Sequence, residues 1–234
     1  PVPIYLVVEK ILASYERLRE DWQVHGTTGY ASAQLVGGLF VNTQTEKEMY
    51  RIYTEFLGSR LDFEELLYQR KKLIMKVALA SERNVLASEL NRISESDCHT
   101  RDFTLNGLRD ALSEVIACFP VYRTYVTRDR ITSEDRLHVD WAIAQARKRS
   151  RAADTNIYDF IRRVLLLDIN KDKSHGYIKA VVDFTMKFQQ YTGPVMAKGL
   201  EDTAFYTYNL LISLNEVGGE PRRFGISVSA FHHL

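Results

Sequence analysis

The feature that most constrains this chain is a helical periodicity running through most of its length, broken by only three short stretches of strand character. In TEKEMYRIYTEFL (45–57) apolar side chains recur at three-to-four spacing, and Gly58 can stop the helix. Residues 62–79 open on Asp62, a good N-cap, and place acidic residues in the first turn, where the helix dipole favours them. Residues 81–96 continue the pattern. TLNGLRDALSEVIACF (104–119) starts at a Thr cap and ends before Pro120. Residues 133–150 open on Ser133 as capping residue and close on basic side chains, and 156–169, 177–191 and 203–215 add further helices. Residues 11–22 suit either a short helix or an ordered loop. The strand candidates are PVPIYLVVEK (1–10), VYRTYV (121–126) and GPVMAKG (193–199), the last bracketed by glycines. HGTTGY (25–30) and GGEPRRFG (218–225) read as turns, and NKDKSHG (170–176) as the most linker-like stretch. The chain is therefore mainly α, with about six to eight helices. Three strands separated by helices cannot close a barrel, so a sheet built from them lies mostly outside these residues.

Composition adds limits. At 234 residues the chain can form one large or two small domains, and its 45% hydrophobic and 26% charged residues are ordinary for a globular protein. A net charge of +1 gives no field that would steer it to nucleic acid or a membrane surface. No run approaches the ~18 apolar residues of a membrane span. The opening PVPIYLVV is apolar but short and lacks a basic leader, so no secretory signal is expected. Cys98 and Cys118 cannot build a multi-bridge framework and are expected as free thiols, in keeping with the cytoplasm.

Few residues offer chemistry. Glu9 closes a hydrophobic strand, the position from which side chains act in a β/α barrel, although an ordinary terminal charge is the simpler reading. Asp202 follows a strand candidate and precedes TAFY, where it makes a good helix N-cap. Together, two carboxylates at strand ends suit glycoside chemistry, in which one protonates the leaving oxygen and others stabilise or attack the oxocarbenium-like centre. HGTTGY lacks the lysine and glycine spacing of a phosphate loop, and no GxSxG occurs. His25, His99, His138, His175, His232 and His233 are scattered without a metal-ligand spacing, so no metal is expected.

A resemblance sharpens this. YLVVEKIL (5–12), VHGTTGY (24–30), LASELNRIS (86–94), RDFTLNGLRDALSEVIACFPVYRTYV (101–126) and TGPVMAKGLEDTAFYTYNLLISLNEVGG (192–219) resemble, in that order, the maltooligosyltrehalose synthases of the α-amylase-like glycoside hydrolase clan. The resemblance implies that Glu9 is the general acid/base and Asp202 the third catalytic carboxylate. It also implies sugar contacts from His25, Thr27, Thr28, Tyr30, Lys198 and Glu201. The implied organisation is a barrel strand and active-site loop over 1–30, a helical insertion over 31–176, and a return to the barrel over 177–234. The roughly 190 residues between the two carboxylates would be what such an insertion creates. The family's nucleophilic Asp lies on the strand before that of Glu9, which these residues do not include. The chain therefore resembles a central fragment that is inactive alone. In the family, the leaving terminal glucose is retained and re-attacks through its own anomeric hydroxyl, giving an α,α-1,1 linkage. Where the family has Asp-Phe after GTTGY, this chain has Ala31 and Ser32, and where the family commonly has Arg, it has Thr207 and Leu210. These departures raise two alternatives, a non-catalytic helical binding or scaffold module and a plain hydrolase of the same clan. Partners implied are a maltooligosaccharide, the missing barrel half, and a second copy shielding open strand edges.

Overall fold

The computed structural model describes residues 4–150, 156–169 and 172–232. The first three residues of the expected 1–10 strand, Asn170 and Lys171 of the linker-like stretch, and His233 lie outside the described residues. The described chain is mainly helical: α1 (Tyr30–Leu39), α2 (Glu46–Leu57), α3 (Phe63–Val77), α4 (Ala80–Glu95), α5 (Leu105–Ala117), α6 (Ser133–Arg149), α7 (Asn156–Leu165), α8 (His175–Gly199), α9 (Phe205–Thr207) and α10 (Val228–His232). Two strands, β1 (Val7–Val8) and β2 (Gly26–Thr27), form a parallel pair. No helix among the described residues is long and apolar enough to cross a membrane.

The chain forms two compact units, Pro1–Leu67 with Glu201–Leu234, and Tyr68–Leu200. The divisions fall within α3 and just after α8, not at the expected 30/31 and 176/177, and packing explains why. In the first unit α1 packs on α10 and on the 3-10 turn Ile212–Leu214. There too the Tyr208 hydroxyl donates to that of Tyr50 (2.9 Å), and the Asn209 amide donates to the Tyr53 hydroxyl (2.9 Å). Phe63, Phe205 and Tyr208 complete an aromatic cluster, with ring centres 6.4 Å (Phe63–Phe205) and 5.0 Å (Phe63–Tyr208) apart. Residues 31–67 therefore belong with the chain ends.

In the second unit α5 packs on α4, α6 and α7, while α8 packs on α4 and α7. Leu108, Leu112, Val115 and Ile116 of α5 are at most 1% exposed, the i, i+4, i+7, i+8 stripe of a core helix. Local signals set the boundaries. Asp62 accepts from the Glu65 amide (2.8 Å), Thr104 accepts from the Gly107 amide (3.1 Å), and Gly58 ends α2 at φ 69°. The cap of α6 is Thr132 and not Ser133: Thr132 and Asp135 form a reciprocal capping box, and Asp135 also accepts from the Tyr125 amide (3.0 Å).

Two expected strands are absent. VYRTYV (121–126) opens on a bend and continues without regular secondary structure. The side-chain amide of Gln189, 1% exposed, takes the place of a neighbouring strand: it accepts from the Val126 amide (2.6 Å) and donates to the Val126 carbonyl (3.0 Å). GPVMAKG (193–199) is the last part of α8. Tyr191, Thr192, Val195, Met196 and Gly199 are all buried, so the helical stripe runs on through Pro194. Beyond it the helix widens into a π-turn, Leu200–Ala204, then α9, and 208–215 leaves the helix. Residues 11–22 form an ordered loop, and Cys98 and Cys118 are free thiols, the second pushed up to about 11 by burial.

Candidate active site

The site is built where β1 runs out. β1 and β2 pair in the register Val7↔Gly26 and Val8↔Thr27. The flanking His25 amide donates to the Leu6 carbonyl (2.7 Å), and the Thr28 amide donates to the Val8 carbonyl (3.1 Å). This fixes the β1 end and presents Glu9, the next residue, as an exposed side chain. The turn after it is locked by an ion pair between Lys10 and Glu16 (2.6 Å), each 6% exposed, while Glu16 also accepts from the Ala13 amide (3.2 Å). Removing either partner would strand a buried charge.

From β2 the chain must turn sharply into α1, and Gly29 does this at φ 99°, a backbone region that L side chains rarely adopt. The turn makes Tyr30 the first residue of α1 and sends its hydroxyl to Glu9, donating to Oε1 at 2.8 Å. That hydrogen bond, then the charge of Glu9, slight desolvation and the charge of Glu201 raise the Tyr30 phenol above its ordinary value. Tyr30 is therefore a neutral donor at physiological pH. It fixes one Glu9 oxygen and leaves Oε2 as the atom that can deliver or take up a proton.

The other expected site residues fall as follows. The His25 Nδ1 lies 3.1 Å from the Leu6 amide nitrogen and 3.3 Å from the Leu6 carbonyl oxygen, and the ring lies 4.8 Å from the Tyr5 ring. Thr27 is half-buried within β2 and Thr28 is exposed beside it. Glu201, half-buried, and Asp202, exposed, belong to the first unit and sit on the π-turn. Asp202 is thus neither at a strand end nor a helix N-cap, because the helix already precedes it. Lys198 is exposed in the last turn of α8, within the second unit. The structure brings Glu9 and Tyr30 into hydrogen-bond contact, and the charge of Glu201 adds weakly to the upward shift of the Tyr30 phenol. The hydrogen bond from Tyr30 to Glu9 carried no sequence signal, since it depends on the chain reversal at Gly29.

The departures at Thr207 and Leu210 have structural uses. The Thr207 hydroxyl donates to the Thr203 carbonyl (2.9 Å), and Leu210 is 4% exposed, a place for an apolar side chain. Ala31 and Ser32 lie exposed on α1. One set of metal-capable donors comes together among the described residues: Asp97, Cys98 and His99 lie within 4.8 Å of one another. Asp97 is already ion-paired to Lys173 (2.9 Å), so its carboxylate is engaged.

No protein-family model matches the chain. A protein of two Mycobacterium tuberculosis strains, named "Putative maltooligosyl trehalose synthase", is 30% identical over 229 residues. Those residues are 98% of this chain and 26% of that protein. The solved maltooligosyltrehalose synthase of Arthrobacter ramosus superposes with a TM-score of 0.77 at 33% identity, covering 98% of this chain and 26% of that one. Over nearly its whole length the chain is similar to one segment of these synthases. A Sulfolobus tokodaii structure described as a hypothetical maltooligosyl trehalose synthase agrees with a TM-score of 0.67 at 27% identity, again over 98% of the chain and 25% of its own length. The chain thus spans about a quarter of the length of the relatives it matches.

Proposed function

We propose that these residues supply the acid/base side of the site in a longer trehalose-forming glucosylmutase acting on maltooligosaccharides. The observation that carries this is the Glu9 carboxyl at the end of β1, held at Oε1 by Tyr30, in a chain similar over 98% of its length to the synthases. Glu9 protonates the oxygen joining the terminal glucose to the rest of the chain as an aspartate nucleophile takes the anomeric carbon of the penultimate sugar. The freed glucose stays bound and turns over. Its anomeric hydroxyl gives its proton back to Glu9 and attacks the glycosyl-enzyme, so two displacements at one centre leave an α,α-1,1 linkage. Asp202 stabilises the distorted sugar, and His25, Thr27, Thr28, Glu201 and Lys198 contact sugar hydroxyls. Water must be kept out, or hydrolysis prevails. The chemistry needs no metal or organic cofactor, and we place the enzyme in the cytoplasm.

The nucleophile belongs to a strand outside these 234 residues, so the chain alone is proposed to be inactive. The outer edges of β1 and β2 call for further strands, which we assign to the rest of the longer enzyme. Maltopentaose tests the reading. The full-length product of the reading frame should yield trehalose-ended oligosaccharide, and the 234-residue chain should yield none. Free glucose as the sole product of the full-length protein would make it a hydrolase, and no product at all would make it a scaffold. Tyr30→Phe should lower kcat with KM little changed by freeing the Glu9 carboxyl to rotate; an unchanged kcat would deny Tyr30 its positioning role.

A further inference from the structure

The second unit holds a pocket of about 780 Å³ that the chemistry above leaves unused. It falls in the range of about 300–1,000 Å³ typical of small-molecule sites. α5 lines it with one face, Gly107, Asp110, Ala111 and Glu114 at i, i+3, i+4 and i+7. Ile157 and Tyr158 of α7, 6% and 1% exposed, give it an apolar side.

The polar groups are already organised. The Tyr68 hydroxyl donates to Glu114 Oε2 (2.6 Å), the Lys72 ammonium donates to that hydroxyl (3.2 Å), and Lys72 is ion-paired to Glu114. The Arg149 guanidinium lies over the Tyr68 ring, its carbon 4.1 Å from the ring centre. Asp102 and Asp110, both exposed, supply carboxylate acceptors at the rim.

Two cations facing three carboxylates nearly cancel, so the pocket does not select a phosphate or a polyanion. A lining in which apolar side chains adjoin fixed donors and acceptors matches a pyranose: an apolar face of C–H bonds and an edge of hydroxyls. We propose that this pocket is a second carbohydrate site, in the helical unit, that binds a short α-1,4-glucan. The choice of α-1,4-glucan among sugars rests on the function proposed above; the sugar chemistry rests on the pocket.

Methyl-labelled alanine and isoleucine in the 234-residue chain provide the probe, because Ala111 and Ile157 both line the pocket. Titration with maltotriose should move both methyl signals saturably. Asp102→Ala combined with Asp110→Ala, exposed positions whose loss spares the core, should weaken binding at least ~5-fold. Two outcomes overturn the proposal: no saturable shift at these methyls up to ~50 mM maltotriose, or shifts with inorganic phosphate and none with maltotriose. Should the full-length enzyme form trehalose-ended product while these methyls stay still, only the pocket assignment fails. Should the methyls respond while no such product forms, the pocket stands and the catalytic reading fails.

Discussion

Replacing Lys71 should change how the stability of the helical unit depends on pH. Lys71 is 3% exposed and its ammonium donates to the Phe119 carbonyl (2.8 Å). Burial pulls it from 10.5 down to about 7, with the neighbouring Cys118 pulling weakly the other way. With the folded value below the unfolded one, the unfolded chain holds more protons between the two, so stability rises with pH across that window. From about pH 7 to 8.5 the rise amounts to about 2 kcal/mol, the slope approaching about 1.3 kcal/mol per pH unit as the folded lysine loses its proton. The Cys118 thiol, pushed up to about 11, acts in the opposite sense once pH passes its ordinary 9.0, which is why the comparison stops below that. Lys71→Met keeps the volume and removes the titration. It also leaves the Phe119 carbonyl unpartnered, a cost of about 1–3 kcal/mol that is the same at every pH. Urea unfolding followed by far-UV circular dichroism at several pH values should show wild type gaining about 2 kcal/mol on the variant between about pH 7 and 8.5. Parallel curves, offset by a constant, would refute the reasoning.

Gly199→Ala should destabilise by about 1–3 kcal/mol in thermal unfolding, because a Cβ there would sit 2.8 Å from Lys71 Cγ and 3.2 Å from its Cα and amide nitrogen. Gly176→Ala, with nothing within 4 Å, should instead stabilise by up to about 1 kcal/mol. Gln189→Leu should cost about 2–4 kcal/mol in urea titration and expose the Val126 amide to hydrogen exchange, since both main-chain groups of Val126 lose their partner. Sedimentation velocity of the 234-residue chain should show a dimer in which a second copy covers the strand edges; a monomer at all concentrations would contradict that.

What the sequence disclosed depended on the range of the interactions involved. Asp62, Thr104 and Gly58 act within one helical turn, so their roles could be read from neighbours. Ser133 read as the cap of α6, but its neighbour Thr132 also carries a hydroxyl, and the reciprocal bond with Asp135 makes Thr132 the cap. GPVMAKG read as a strand because glycines bracket it. Yet the stripe Tyr191, Thr192, Val195, Met196, Gly199 was a helical signal that Pro194 concealed. VYRTYV has strand character with no strand beside it among the described residues; a glutamine 63 residues away from Val126 supplies the hydrogen bonds. Glu9 could be singled out from its place after an apolar run, whereas its bond to Tyr30 arises from the left-handed turn at Gly29 and was not legible. Asp202 lost both local readings, cap and strand end, once the π-turn was in place.

The role assigned to Glu9 is tested most directly by Glu9→Gln in the full-length enzyme, with trehalose-ended product from maltopentaose as the readout. Glutamine keeps the hydrogen bond from Tyr30 but can neither give nor take the proton. The expected result is a fall in kcat of about 10²–10⁴-fold with KM little changed and sugar binding retained. A variant that keeps more than about a tenth of the wild-type rate would contradict the assignment of Glu9 as the general acid/base.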